Sequence, residues 1–292
     1  LNGNELQDGD ENHPLLDPQA ITDYKASRAK MAFRGKNTSP VTVRRELATL
    51  SSAINHARFE WNWPIANPVE GRRPKAGKAR IVWITPEQAA KMLEAARINE
   101  DVPYLADFVE LGLNTGMRKM EMLKCELARV DLHHNVIHLD PSDQKNGQYS
   151  TVPLNATARQ AILNRLAYIK EHCPDTPWLF PLVSNKHKCG KHKGEKHLGD
   201  IRKAFTRMCI DAEVPHFFPH VLRHTYCSWL LQAGVPIYTV KDCMRHASIT
   251  QTEEYGHLAP HNRVESVGKL DGVLSRICHA GENETTAKRV NF

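Results

Sequence analysis

Residues 220–255, HVLRHTYCSWLLQAGVPIYTVKDCMRHASITQTEEY, constrain the fold more than any other stretch of the chain. His220 and Arg223 stand three apart, so on a helix they project from one face, with His224 beside them. The apolar run that follows is stopped by Gly234, and Pro236 opens a second helix. His246 comes after that helix, across the turn-like Ala247-Ser248, and Tyr255 closes the stretch nine residues later. A guanidinium, two imidazoles and a phenol together are well suited to holding a phosphodiester while a tyrosine hydroxyl attacks it.

At 292 residues there is room for two ordinary domains, or one large domain with insertions. A hydrophobic fraction of 41% with 25% charged residues is that of a soluble globular protein with a packed core. Lys and Arg exceed Asp and Glu by 39 to 33, a net +6 that permits a polyanionic partner without requiring one. The seven cysteines (Cys125, Cys173, Cys189, Cys209, Cys227, Cys243 and Cys278) are scattered and include no CxxC pair. They signal neither a disulfide framework nor a zinc knuckle, and a reducing, cytoplasmic setting is expected. No apolar run approaches the ~18 residues of a membrane span. The acidic opening LNGNELQDGDENHP is neither a signal nor a transit peptide; without an initiator methionine, it suits a processed product or a fragment.

Residues 1–16 read as disordered. Asp17-Pro18 starts a helix running to about residue 33, and Ser39-Pro40 starts another. In the second, Leu47, Leu50, Ile54 and Ala57 recur at three- and four-residue steps, the buried stripe of a helix ending near Trp61. Trp61 and Trp63 are expected in the core or an interface of this small helical unit, 17–66. Residues 67–80, NPVEGRRPKAGKAR, read as an interdomain linker whose Arg72, Arg73, Lys75 and Lys78 make either a flexible strap along DNA or a merely soluble connection.

The larger domain, 81–278, opens on a short extended segment and a capping box, Thr85-Pro86-Glu87-Gln88. Helices are expected over about 102–113 and, beyond Asn114-Thr115-Gly116, over 117–128, with Arg118 and Glu121 on one face of the latter. Those two form an intrahelical ion pair, or an arginine reaching into a cleft with its fork fixed by the glutamate. Extended segments at 135–140 and 150–154 flank Lys145-Asn146-Gly147, a hairpin signal that puts Lys145 at the tip. A helix at 156–172 and an apolar plug, Trp178-Leu179-Phe180-Pro181, come next.

The most basic piece is 185–197, NKHKCGKHKGEKH. His187, Cys189, His192 and His197 invite a metal reading. Spacing argues against it, and the lysines repel a dication, leaving Lys188, Lys191 and Lys193 as phosphate contacts or a solvated loop. The following helix, about 198–212, carries Arg202, Lys203 and Arg207 on its polar side and is the candidate for a major groove. A final amphipathic helix over 262–277 reads as a subunit contact or core, before a disordered tail from 279.

Arg118, Lys145, His220, Arg223, His246 and Tyr255 fall in that order. With the motifs TGMRKME (115–121), HVLRH (220–224), RHASI (245–249) and TEEYGH (252–257), the chain resembles the tyrosine recombinases, the phage integrase family. The resemblance covers about 80–275. It implies a mainly α fold with a small antiparallel β-sheet (α+β): a small N-terminal helical core-binding domain, here shortened, and a larger C-terminal catalytic domain of the DNA breaking-rejoining type. It implies a site-specific recombinase or integrase on double-stranded DNA, acting as a homotetramer through the C-terminal helix, with no cofactor, metal or membrane.

The roles follow from the same resemblance and from charge. Arg118 and Arg223 clamp the non-bridging oxygens, His220 is the base or orienting partner of Tyr255, His246 donates to the phosphate and Lys145 protonates the departing 5′-oxygen. Glu121 steadies Arg118 or a neighbour, and His224 is assigned a structural part. Where the family usually has glycine before the motif histidine this chain has Arg245, which adds a further phosphate contact. A type IB topoisomerase-like relaxing enzyme and a catalytically degenerate DNA-binding accessory protein are the alternatives.

Overall fold

The computed structural model describes residues 17–33, 35–75, 81–143, 147–183, 194–258 and 267. The chain divides into two compact units, Leu1–Arg80 and Ile81–Phe292.

In the first unit, α1 (Pro18–Lys30) and α2 (Pro40–Glu60) each begin where a side chain caps the helix and proline occupies the first turn. Asp17 accepts from the Ala20 N–H and Ser39 from the Thr42 N–H, satisfying donors that a helix start leaves orphaned. Between them lies a minimal antiparallel pair, β1 (Ala32–Phe33) and β2 (Lys36–Asn37). Val43, Leu47 and Ile54 of α2 pack with Ile21 of α1. Arg28 is held by Glu46 at 2.6 Å, so it ties the helices together.

Two expectations are corrected in part in this unit. Of the core and interface readings for Trp61 and Trp63 the core one fails: they are 57% and 51% exposed and lean on each other past the end of α2. The linker reading fails over its first half. Val69 is fully buried in this unit's core, and the buried Asn67 amide donates to Ser51 Oγ at 2.9 Å.

The second unit is built on α4 (Leu105–Thr115), whose Leu105, Phe108, Val109, Leu111 and Leu113 are all buried. A helix apolar nearly all round needs neighbours on every side. It has them in α3 (Pro86–Ile98), α6 (Ala156–His172) and α8 (Val221–Gln232). The capping box at Thr85 and Gln88 forms as expected, and Asn155 caps α6. The sheet runs β3 (Val130–Asp131), β4 (Val136–Leu139), β5 (Ser150–Pro153), all antiparallel. Its β4–β5 ladder ends at Leu139 opposite Ser150. Lys145 lies outside the described residues.

The helix expected over 117–128 is only α5 (Lys119–Leu123). Beyond it the backbone turns to pair with a distant strand-like segment: Leu127 N–H donates to Pro177 O at 2.7 Å and Leu179 N–H to Cys125 O at 2.8 Å. Leu179 and Phe180 are fully buried, as the plug reading required. α7 (Arg202–Asp211), α9 (Ile237–Met244) and α10 (Thr250–Glu253) complete the unit. The C-terminal helix expected over 262–277 falls outside the described residues except for Val267. None of the described helices is long and apolar enough to cross a membrane.

One buried hydroxyl fixes α8 against the start of this unit. Thr225 accepts from the Ile84 N–H at 2.9 Å while its own O–H donates to Val221 O at 2.8 Å. Thr225→Val keeps the shape but strands a buried N–H, so unfolding free energy should fall by about 1–3 kcal/mol. Urea denaturation measures it, and a loss below about 0.5 kcal/mol would show that the Ile84 N–H finds another partner.

Candidate active site

The site is assembled where α4, α5, α8 and α9 end or begin. α4 stops at Gly116, which adopts a left-handed φ of 59°. A Cβ there would run into the ring of Tyr226 on α8, so both the backbone angle and the packing demand glycine. The turn delivers Arg118 as the residue that caps α5. Its own N–H donates to Glu121 Oε2 at 2.8 Å and its Nη1 to Oε1 at 2.5 Å. The Glu121 side chain is only 2% exposed, whereas that of Arg118 keeps 33% of its surface open.

Arg223, on the first turn of α8, is buried. Its Nη1 donates to Gly116 O at 2.6 Å and its Nη2 to Met244 O, linking the end of α4 to the end of α9. Immediately after Met244, Arg245 takes a left-handed φ of 54°. Its side chain turns inward: Nη2 meets Glu121 Oε2 at 3.1 Å and Gly116 O at 3.4 Å, and Nη1 meets Cys243 O at 3.0 Å. The next residue, His246, has its Nδ1 2.8 Å from Thr252 Oγ1, which is fully buried on α10.

Tyr255 is 4% exposed and packs among Cys227, Leu231, Val240 and Met244. Its phenol is hydrogen-bonded to His224 Nδ1, with the rings 5.8 Å apart, and His220 meets His224 edge-on at 4.7 Å.

Burial and positive neighbours set the ionisation of this cluster. Burial pulls the Arg223 pKa down to about 9, helped by Arg245 and Arg118, which still leaves it charged at neutral pH. His224 falls to about 4 through burial, His220 and Arg223; His246 falls to about 4 through burial, Arg223, Arg118 and Arg245. His220 is lowered by burial, Arg223 and Arg118. Burial raises the Tyr255 phenol well above its ordinary value, Cys227 adds to the rise, and Arg223 partly offsets it. Burial works against the Glu121 carboxylate too, but Arg245 and Arg118 outweigh it and hold its pKa below the usual range. The site therefore holds charged arginines beside neutral imidazoles and a protonated phenol.

Arg118, Glu121, His220, Arg223, His246 and Tyr255 are brought into this one cluster. Of the expected DNA contacts, Arg72, Arg73 and Lys75 belong to the first unit and are exposed. Arg202 and Lys203 lie on the exposed first turn of α7, with Arg202 held by Asp200 at 2.8 Å. Lys78, Lys188, Lys191 and Lys193 lie outside the described residues, as does most of the His/Cys loop.

Three residues differ from the sequence reading. The phenol's partner is His224 and not His220, because α8 aims the residue after Arg223 at Tyr255. Arg245 is no phosphate contact, since its guanidinium faces Glu121 in the interior. Thr252, which orients His246, has no role of its own in the sequence reading, and only its place in the TEEYGH motif marks it.

Residues 82–262 match the family model of the phage integrase family. This chain belongs to the phage integrase family. Among its relatives, the integrase of Salmonella phage P22 is 27% identical over 268 residues, which cover 91% of this chain and 65% of that protein. The shufflon-specific DNA recombinase of Escherichia coli is 38% identical over 239 residues, 81% of this chain and 55% of that one. This phage integrase family member thus spans about two thirds or less of those two relatives. Its fold matches the Tn1549 transposon integrase solved in complex with circular intermediate DNA, with a TM-score of 0.65 at 19% identity over 86% of this chain and 84% of that one. It also matches the XerH site-specific recombinase bound to difH substrate, with a TM-score of 0.59 at 18% identity over 86% and 70%. The α+β architecture with its three-stranded antiparallel sheet is that of tyrosine recombinase catalytic domains.

The histidine shifts carry a pH signature. In the unfolded chain His224 and His246 take up protons from pH 6.5 downward, but in the folded protein only near pH 4. Their contribution to stability is complete above pH 6.5 and is lost as the pH falls toward 4. Urea unfolding from neutral pH down to about 4.5 should show a smaller drop in a His224→Gln/His246→Gln variant than in the wild type. Equal drops would mean that both imidazoles are charged in the fold.

Proposed function

We propose that this protein is a site-specific DNA recombinase that cuts and rejoins duplex DNA through a 3′-phosphotyrosyl intermediate. The observation that carries the reading is the Tyr255 phenol hydrogen-bonded to a neutral imidazole, in the cluster that also holds Arg118 and Arg223. A phenol whose proton is held this firmly needs an acceptor close by; the His224 ring is unprotonated and hydrogen-bonded to it, and the negative charge of a bound phosphodiester would raise that ring's affinity for the proton.

The phenol oxygen attacks the phosphorus, and its proton passes to His224, with His220 edge-on behind that ring. Arg118 and Arg223 stabilise the two non-bridging oxygens as charge builds on them. With Thr252 donating to Nδ1, His246 presents Nε2–H to the same phosphate. The P–O5′ bond breaks as the Tyr255 bond forms, and Lys145 gives the departing oxygen its proton. Attack by the 5′-hydroxyl of another strand reverses these transfers and frees the tyrosine. No step in this series consumes a high-energy cofactor, because the phosphodiester energy is kept in the tyrosyl ester. A homotetramer on DNA, joined through the C-terminal helix in a cytoplasmic setting, completes the reading.

The test uses nicked duplexes drawn from sheared bacterial genomic DNA, in which the fragment released by cleavage diffuses away and traps the covalent complex. Wild-type protein should yield a denaturant-resistant protein–DNA adduct, and Tyr255→Phe none. An adduct of undiminished yield with Tyr255→Phe would sink the assignment. Sequencing the trapped duplexes gives the cut site, and exchange between two such sites separates a recombinase from an enzyme that only relaxes DNA.

A further inference from the structure

Arg245 is hard to account for as a structural residue. It adopts a left-handed backbone that is strained for a side-chain-bearing residue and costs glycine almost nothing. Its side chain is 4% exposed, so a guanidinium has been taken out of water. Its Nε is also a buried donor without a hydrogen-bond partner. A position chosen for folding alone would avoid all three costs with glycine.

What Arg245 touches explains its presence. Its Nη2 contacts Glu121 Oε2, the oxygen that also accepts from the Arg118 N–H, while the other carboxylate oxygen holds the Arg118 guanidinium. The same Nη2 reaches Gly116 O, the carbonyl that anchors Arg223. The remaining contact, Nη1 to Cys243 O, fastens it to its own helix end. Arg245 thus meets one anchor of each reactive arginine.

We propose that Arg245 is a positioning residue: acting through Glu121 and Gly116, it holds the Arg118 and Arg223 guanidiniums in register and supplies a second counter-charge to a buried carboxylate that would otherwise draw on Arg118 alone. The inference rests on the DNA strand-transfer reading above. Without Arg245, Glu121 draws on Arg118 alone, and the cluster keeps two guanidiniums against one carboxylate in place of three. A buried carboxylate in poorly screened surroundings then opposes the charge that the two clamps must stabilise. The bonds from Arg118 to Glu121 and from Arg223 to Gly116 O remain, so the turn holds while the forks lose their register.

The experiment uses the full chain and a duplex recovered from the adduct capture. Arg245→Gly suits the backbone angle already present, and thermal unfolding verifies that the variant is folded. Single-turnover cleavage at saturating DNA should fall about 100-fold, the cost of a small misplacement at the reacting centre. The Kd for the same duplex should change by less than about threefold. Guanidinium ion added below its denaturing range should restore part of the rate, which a loss of fold would not allow. Adding Glu121→Gln to Arg245→Gly should recover about tenfold by removing a charge that is then balanced by Arg118 alone, while the amide oxygen can still accept from Arg118.

Should Arg245→Gly fail to fold, Arg245→Lys carries the test. It keeps the charge without the planar fork, and a rate about tenfold below wild type is expected. Cleavage by Arg245→Gly at the wild-type rate, or by Arg245→Lys where that variant carries the test, overturns the inference. So does a slowed Arg245→Gly that neither guanidinium nor Glu121→Gln improves. Wild-type protein that forms no adduct overturns the strand-transfer reading, and this inference with it, whereas the other outcomes leave that reading standing.

Discussion

A single carboxylate, Glu121, holds this site together. Buried alone it would be protonated or would unfold its surroundings. It is tolerated because one oxygen meets Arg118 and the other meets Arg245 and a backbone N–H. Those bonds fix the turn after α4 and the end of α9 against each other, and the Gly116 carbonyl is left facing Arg223. In the strand-transfer reading the two guanidiniums of the phosphate clamp come from the cap of α5 and from α8, 105 residues apart in the chain, and neither helix could set the other by itself. The carboxylate and one carbonyl do so.

Burial and the same positive charge decide the state of the other groups. Burial first, and then Arg223 and Arg118, depress the neighbouring imidazoles, so the histidines of the site are neutral at neutral pH and not competing cations. Burial meanwhile keeps the proton on Tyr255. The phenol itself packs among Leu231, Val240 and Met244. In the strand-transfer reading, an entering phosphodiester supplies the negative charge that the arginines lack, and the phenol proton has a neutral ring waiting beside it. In that reading, charged clamps and neutral bases both follow from burying these groups together.

Much of the fold was legible because it is written in local rules. Asp17, Ser39, Thr85 and Asn155 cap their helices where a capping residue should, and the Leu47–Ile54–Ala57 stripe is buried as its period requires. Of the six catalytic candidates, the five that the structure describes share one cluster. What escaped was non-local. α5 ends early because its downstream backbone pairs with residues 177–179, a preference that helical periodicity cannot register. Val69 lies in a stretch of linker-like composition yet fills a core. Trp61 and Trp63, large enough to suggest burial, sit where α2 has run past its own packing partners.

The pair Arg245–His246 shows why side-chain roles at a helix end resist a linear reading. In sequence the two look interchangeable, adjacent cations beside a phosphate motif. The left-handed turn at Arg245 rotates the chain so sharply that its side chain goes to the interior while the next one faces Thr252 and the arginines. Glycine would make the same turn without adding a charge. With arginine there, the turn that aims His246 also carries the counter-charge for Glu121, so backbone geometry and electrostatics are joined at one residue. A substitution at this position changes both together. That coupling is why the guanidinium must be removed while the turn is kept before either contribution can be measured alone.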